Sequence, residues 1–512
     1  MDGAFATVAR ARAYIKGCSA EKRKVTAERL LRRGVARIVC EKEAFKRAMF
    51  RARVPQVRGS DPAGRRLGSG INDLSLSARS DAATDFASIM SAIAHDACTS
   101  KTCTVTDAQI AVEGCSHGEL DAIYNDLLSN ERETGRRVDV LLLCGDVQTM
   151  RNAADLHSLA VPPKYRRLGD FHHYYAGTKH APILTIVIGG NHEASNYLWE
   201  LYYGGWLAPN IYYLGAAGCV NVGGLSVAGA SGIYKPHDYT RGHFERYPYS
   251  ASDMRSTYHT RQFEITKLGL LSRPDIFLSH DWPNCVEQHG DVAELLRRKP
   301  FFRAEIESST LGSPPLQALL YDLQPRYWFA AHLHVHFTAC IKHAFVNKIQ
   351  GASMVAPSDT ASTESSDVST LETPNNDFQI PAKNYTEFHA LSKCTSKGDY
   401  LHIFDLPAPS DAVLAQDTSV RPQIPLSFNT EWLAITRVLQ PYFSLHRAQR
   451  TLPPPTDTTL RVLVEQEKAQ LTARLGQTDG PSLCIRRTQT FAPTAPPQTK
   501  EETTELIPGG ST

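Results

Sequence analysis

From residue 109 onward the chain carries short apolar runs, each ending in a small residue followed by a polar one. They are QIAVEG, VDVLLLCGD (138–146), ILTIVIGGNH (183–192), GLSVAGASG (224–232), DIFLSHD (275–281) and YWFAAHLH (327–334). Runs this short and this apolar predict strands buried on both faces, with function carried by the loops at their C-terminal ends. Between the first two runs, Leu120, Ile123, Tyr124, Leu127 and Leu128 recur at helical spacing and predict an amphipathic helix over 118–134. The expected fold is α/β, a β-sandwich flanked by helices, with a catalytic domain over 109–345.

Outside that stretch the pattern changes. Residues 1–105 contain short helical stretches such as AERLLRRGVARIV (27–39) but no sustained core periodicity, and are expected to form a mostly disordered extension. A Ser/Thr/Pro-rich linker or insertion is expected over 346–383, and a smaller C-terminal domain over 384–446, strand-like at NYTEFHALSKC and DYLHIFDL and helical at TEWLAITRVLQPYFSLH. The Pro/Thr-rich tail, 450–512, is expected to be mobile apart from one helical patch, LRVLVEQEKAQLTARL.

Composition narrows the class only modestly. The chain has 512 residues, 42% of them apolar and 21% charged, as expected for a globular protein of two or more domains. The absence of any apolar run near the length of about 18 residues that spans a bilayer argues against a membrane protein. The net charge of +2 hides an uneven distribution, because residues 1–70 hold 18 Lys/Arg against 6 Asp/Glu and leave the remainder acidic. That basic arm suits a solvated extension, with nucleic-acid contact or a transit peptide as alternatives. Eleven scattered cysteines with no CxxC pair argue against a disulfide framework or a zinc ribbon.

The chemistry lies at the ends of the apolar runs. Cys115 and His117, Asp146, Asn191 and His192, His280, and His332 and His334 are residue types that bind divalent cations. Singly, each has a bland explanation: Gly145-Asp146 and Gly190-Asn191 suit turns, and a lone His280 suits a satisfied core position. Together they point to one metal site, because parallel strands deliver their ends to a common edge.

This constellation resembles the binuclear metallophosphoesterase pattern D-x-H, G-D, G-N-H-[DE], H and G/A-H-x-H, with Cys115 in the first aspartate position. The context GCSHGELD resembles the RNA lariat debranching enzymes. So do GGNHEASNYLWELYYGGWLAPNIYYLG (189–215), SGIYKPHDYTRGHFERYPY (231–249), MRSTYHTR (254–261), FLSHDWP (277–283), TLGSPP (310–315) and YWFAAHLHVHF (327–337). Val147, and His336 where lysine is more usual, depart from the pattern without removing a ligand.

The resemblance implies a metallophosphoesterase-type sandwich holding two divalent ions. One would be bound by Cys115, His117, Asp146 and His334, the other by Asp146, Asn191, His280 and His332, with Asp146 as the bridge. A thiolate is softer than a carboxylate, so Fe(II) or Zn(II) is favoured over Mg(II), and Mn(II) stays open. Hydroxide activated by the metals would attack phosphorus, and His192 would act as general acid or, alternatively, only orient Asn191.

The implied reaction is hydrolysis of the 2′,5′-phosphodiester of branched (lariat) intron RNA. The implied setting is the nucleus, with shuttling to the cytoplasm and splicing-related protein partners open. Residues 231–261 resemble the family's recognition loop, in which Lys235, Arg241, Arg246, Arg255 and Arg261 would meet phosphates. Tyr234, Tyr239, His243, Phe244, Tyr247 and Tyr258 would stack on or contact bases. Cleavage of another phosphodiester, or RNA binding without catalysis, are the alternatives; the aromatic-basic loop opposes the first and the complete ligand set opposes the second.

Overall fold

The computed structural model describes residues 108–343, 385–394, 399–406, 424–475 and 483–498. The expected basic extension, the linker and the far end of the tail lie outside the described residues. Thirteen strands are present among those described. They are β1 (Ala108–Glu113), β2 (Val140–Leu143), β3 (Leu184–Val187), β4 (Gly205–Ala208), β5 (Ile211–Tyr213), β6 (Ala217–Val222), β7 (Leu225–Ala230), β8 (Ile276–Ser279), β9 (Tyr327–Ala330), β10 (Phe337–Lys342), β11 (Tyr385–Ala390), β12 (Leu401–Leu406) and β13 (Leu426–Phe428).

Two mixed sheets form, ordered β12-β1-β2-β3-β5-β4 and β10-β11-β9-β8-β7-β6-β13. Parallel pairing runs through β1, β2, β3 and β5 in the first sheet and through β11, β9, β8 and β7 in the second. Antiparallel strands close the edges.

Alternation along each strand sorts the side chains into layers. Ile110, Val112, Leu142 and Ile186 of the first sheet meet Val227, Leu278 and Phe329 of the second in the central core. Ala111, Leu141 and Val187 face outward onto α1 (Leu120–Thr134), through Leu120, Ile123 and Leu127. On the other side, Ala228, Phe277 and Trp328 pack beneath α2 (Gln262–Leu268), α3 (Pro314–Leu323) and α4 (Thr430–Leu439). The result is a helix–sheet–sheet–helix sandwich, the expected fold class.

The C-terminal region is distinct in sequence but woven into the sandwich in space. β11 inserts between β10 and β9, β12 pairs with β1, and β13 borders β6. The helix expected to run to 446 ends at Leu439, followed by a 3-10 turn through Pro441, which has no amide proton to continue the helical bonding.

The helical patch expected within the tail is present, whereas described residues 483–498, expected to be mobile, pack on the domain. α5 (Thr458–Leu475) buries Leu460 and Val464 against the core shared with α4. Residues 483–498 then run back across the first half of the domain, where the Tyr175 hydroxyl accepts from the Thr494 and Ala495 amides and Ile485 is fully buried. After a bridge from Cys484 to Ser427 and a helical turn over Ile485–Thr488, the strap from Gln489 to Pro496 bonds its backbone to side chains of the domain, Trp206, Tyr175 and Asn152.

Candidate metal centre

The candidate ligands stand on loops that leave the C-terminal ends of β1, β2 and β3 in one sheet and β8 and β9 in the other. The sequence argument of a common edge therefore holds across two facing sheets instead of one. Left-handed backbone recurs at the ligands: φ is 47° at His117, 52° at Asp146, 61° at His332 and 50° at His334. Such conformations cost roughly 1 kcal/mol or more each in a non-glycine residue and persist where surrounding structure enforces them.

Close approach of two loops supplies part of that enforcement. A Cβ on Gly190 would stand 2.2 Å from Asp146 Oδ1 and 2.4 Å from the Asp146 amide nitrogen, so the Gly145-Asp146 and Gly190-Asn191 turns interlock only with glycine there.

One ligand atom each from Cys115, His117, Asp146 and His334 converges within 4.8 Å of the others. His117 Nε2 is 2.9 Å from His334 Nε2 and 3.9 Å from Asp146 Oδ2. A second group meets the other carboxylate oxygen, with His280 Nε2 3.3 Å from Asp146 Oδ1 and 3.1 Å from Asn191 Oδ1. The His332 ring lies 5.0 Å from that of His280. Asp146 thus faces two clusters with its two oxygens, the arrangement a bridging carboxylate requires.

The donor chemistry fits divalent cations. Burial holds His117 down at about 4 and His334 at about 3, so both imidazoles are neutral and keep a lone pair. Burial alone would raise the Asp146 carboxyl, but His280, by its charge and hydrogen bond, holds it well below the usual range, and it is ionised. Cys144 carbonyl oxygen sits 2.7 Å from His280 Nδ1, leaving Nε2 to face the cluster. Cys115 behaves differently: burial, with Asp146 and Glu113 nearby, pushes its thiol well above the ordinary value. Metal binding there must expel a proton. The backbone amide of His332 donates to Cys115 Sγ at 3.2 Å and fixes its direction.

His192 borders the cluster, with its ring 5.5 Å from that of His117, and its backbone amide donates to Asp146 Oδ1 at 2.7 Å. Glu193 received no role from the sequence, although it completes the G-N-H-[DE] pattern. Its buried carboxylate accepts from the amides of Val147 (2.8 Å), Thr149 (3.1 Å) and Gly190 (3.3 Å), tying the loop after β2 to the loop after β3. Burial pushes this carboxyl up to about 7. The sequence reading also missed that the C-terminal region braces the first ligand. The Cys115 amide donates to the Ser392 carbonyl at 3.3 Å, and the Cys394 amide donates to the Cys115 carbonyl at 3.0 Å.

The proposed recognition loop divides into two sets. Lys235, Arg246, Tyr247 and Arg255 are exposed, and Tyr234, Tyr239, Arg241 and Tyr258 are partly so. Two candidates are corrected. Arg261 is fully buried, donating to the Glu245 carboxylate and to the carbonyls of Asp238 and Ser256, so it holds the loop together from within. His243 is 5% exposed, with Nε2 2.9 Å from Glu264 Oε1, and is likewise internal. Spacing alone could not distinguish an internal cation from a surface one.

Residues 108–336 match the calcineurin-like phosphoesterase family, and residues 383–508 match the family described as lariat debranching enzyme, C-terminal domain. The chain is 39% identical over 445 residues to the lariat debranching enzyme of Schizosaccharomyces pombe, covering 78% of this chain and 92% of that protein. Identity to the Homo sapiens protein of the same name is 47% over 330 residues, covering 64% of this chain and 53% of that protein. Similarity to the Arabidopsis thaliana protein of that name is 44% over 343 residues, covering 66% of this chain and 70% of the other. The chain therefore spans nearly all of the fission yeast relative and about half of the human one.

Proposed function

The chain belongs to the lariat debranching enzyme family, and from that premise we propose that it hydrolyses the 2′,5′-phosphodiester at the branch point of excised intron lariats, converting them to linear RNA. The observation that carries this reading is the Asp146 carboxylate facing two ligand groups with its two oxygens, beside a loop of exposed cations and aromatics.

Cys115, His117, Asp146 and His334 would hold one divalent cation, and Asp146, Asn191, His280 and His332 the other. When bound, the pair neutralises charge on the non-bridging phosphoryl oxygens and acidifies an attacking water. His192, at the rim, donates a proton to the departing 2′ oxygen, so that the branch nucleotide leaves with a 2′-hydroxyl and the other strand with a 5′-phosphate. Asn191 and the interlocked glycines keep the loop that carries His192 in register. The Cys115 thiolate biases its site toward Fe(II) or Zn(II), with Mn(II) as a further candidate. Exposed Lys235 and Arg255 attract the RNA backbone, and Tyr234, Tyr247 and Tyr258 offer faces to unpaired bases. A nuclear site of action and contact with splicing-related proteins are proposed from that substrate alone, with cell fractionation as the check.

The test compares a synthetic 2′,5′-branched RNA with a linear 3′,5′ RNA of the same composition, using protein whose metal content is measured first. Release of a linear product bearing a free 2′-hydroxyl, from the branched substrate only and from protein holding two iron or zinc ions, is the expected result. Equal cleavage of both RNAs would replace this reading with a general phosphodiesterase.

A further inference from the structure

The outer face of the loop 235–258 lines a groove of about 480 Å³. The lining also includes Arg447, which the strand and ligand pattern of the sequence left without a role. Residues 444–448 are fastened along the loop: the Gly242 amide donates to the Arg447 carbonyl at 3.2 Å, the His243 amide to the Ser444 carbonyl at 2.9 Å, and Arg246 Nη2 to the Leu445 carbonyl at 2.8 Å. The Arg447 guanidinium lies over the Phe244 ring, 4.1 Å from its centroid, while the residue remains exposed. A planar cation laid on an aromatic ring keeps its outward N–H groups pre-organised for an anion.

The charges lining the groove favour an anion. Lys235, Arg241, Arg255 and Arg447 stand against two carboxylates, Asp238 and Asp253. Asp238, which with His237 and His259 has the composition of a metal site, is already engaged. Its Oδ1 accepts from Arg241 at 2.8 Å and lies 3.8 Å from Arg261, and its Oδ2 lies 2.7 Å from His259 Nδ1. A further cation would meet two guanidiniums, so the cluster organises the groove's positive wall instead of holding a metal.

The groove adjoins a second, inner cavity on the side of the metal centre. Tyr258 and His259 line both the groove and this smaller cavity, of about 60 Å³, whose wall includes Gly189 and Gly190 beside Asn191.

We propose that this groove, built jointly by the loop and by residues 444–448, binds the sugar–phosphate backbone of one RNA strand leaving the branch, and that Arg447 is a specificity-determining residue contacting a phosphate there. The proposal rests on the reading of the site as a nuclease of branched RNA. It assigns a recognition role to the C-terminal region, beyond completing the sheets and bracing Cys115.

The experiment uses full-length protein, wild type and Arg447→Ala, with synthetic 2′,5′-branched RNA and with bis(4-nitrophenyl) phosphate as a small phosphodiester. For Arg447→Ala, loss of one phosphate contact should make the salt dependence of KM for branched RNA shallower by about 0.7 in logarithmic slope and raise KM about tenfold. The ratio of kcat/KM between branched and small substrates should fall by the same factor, and Arg447→Lys should restore part of it. An unchanged KM and salt slope overturns the proposal while leaving the function intact. Equal loss on both substrates, with a lowered Tm, also overturns it by showing a structural role. Anisotropy of a labelled linear RNA provides an independent reading: weaker binding by Arg447→Ala supports the groove even if wild type does not open the branch, which would sink the functional reading alone.

Discussion

Asp146 concentrates several constraints in one residue. Its φ of 52° aims the carboxylate between two ligand groups, its Oδ1 accepts the His192 amide, and Gly190 packs against it without a side chain. Next to it, His192 borders the cluster without belonging to either group of ligands, a position suited to proton donation. His192→Ala should leave metal content near that of wild type while lowering kcat on branched RNA by about 10²–10⁴. A substrate with an activated leaving group, such as a nitrophenyl ester, needs less help from an acid and should lose much less. If both substrates suffer alike, His192 orients Asn191 instead of donating the proton.

At the scale of elements, the final strap is the feature that its composition least suggested. Ile485 is fully buried, the Trp206 indole donates to the Gln489 carbonyl at 3.1 Å, and Arg151 Nη1 donates to Thr494 Oγ1 at 2.7 Å. Arg151 also pairs with Asp155 and Glu200, so the strap reinforces the stretch that follows the Asp146 loop. Ending the chain after residue 482 should lower unfolding stability by at least the roughly 2–5 kcal/mol expected for removing one buried isoleucine. Thermal unfolding followed by circular dichroism measures this directly; an unshifted Tm would show that the strap contributes nothing to stability.

For the molecule as a whole, acid stability draws on a buried network joining the loop, α2 and the turn before β4. Burial alone would raise the Glu264 carboxyl, yet His243 and Lys267 draw it down from 4.5 to about 2, with the Tyr202 hydroxyl also donating to it. A carboxylate whose folded value lies below its unfolded one adds stability that is complete above pH 4.5 and is lost as pH falls toward 2. Glu264→Gln should therefore flatten the fall in unfolding free energy across that window, even if the variant is less stable near neutrality. An acid limb as steep as that of wild type, in denaturant titrations at several pH values, would rule out this contribution.

The apolar runs determined the strands and the polar groups at their ends, because both are local: burial selects the run, and the turn after it must carry the ligand. Cys115, Asp146, Asn191, His280 and His332 were legible for that reason, as was α1 from its helical spacing. Distance in three dimensions was not legible. The sequence could not show that the ligand loops converge from two facing sheets, or that β11 and β12 from the C-terminal region complete those sheets. Nor could it separate Arg261, fully buried and paired with Glu245, from exposed Lys235 at the other end of the same loop. Charge and hydropathy are properties of a residue, whereas burial and pairing are properties of its neighbours. Glu193 bracing the ligand turns, Arg447 facing the groove and the strap across Tyr175 were therefore decided only when the chain folded back on itself.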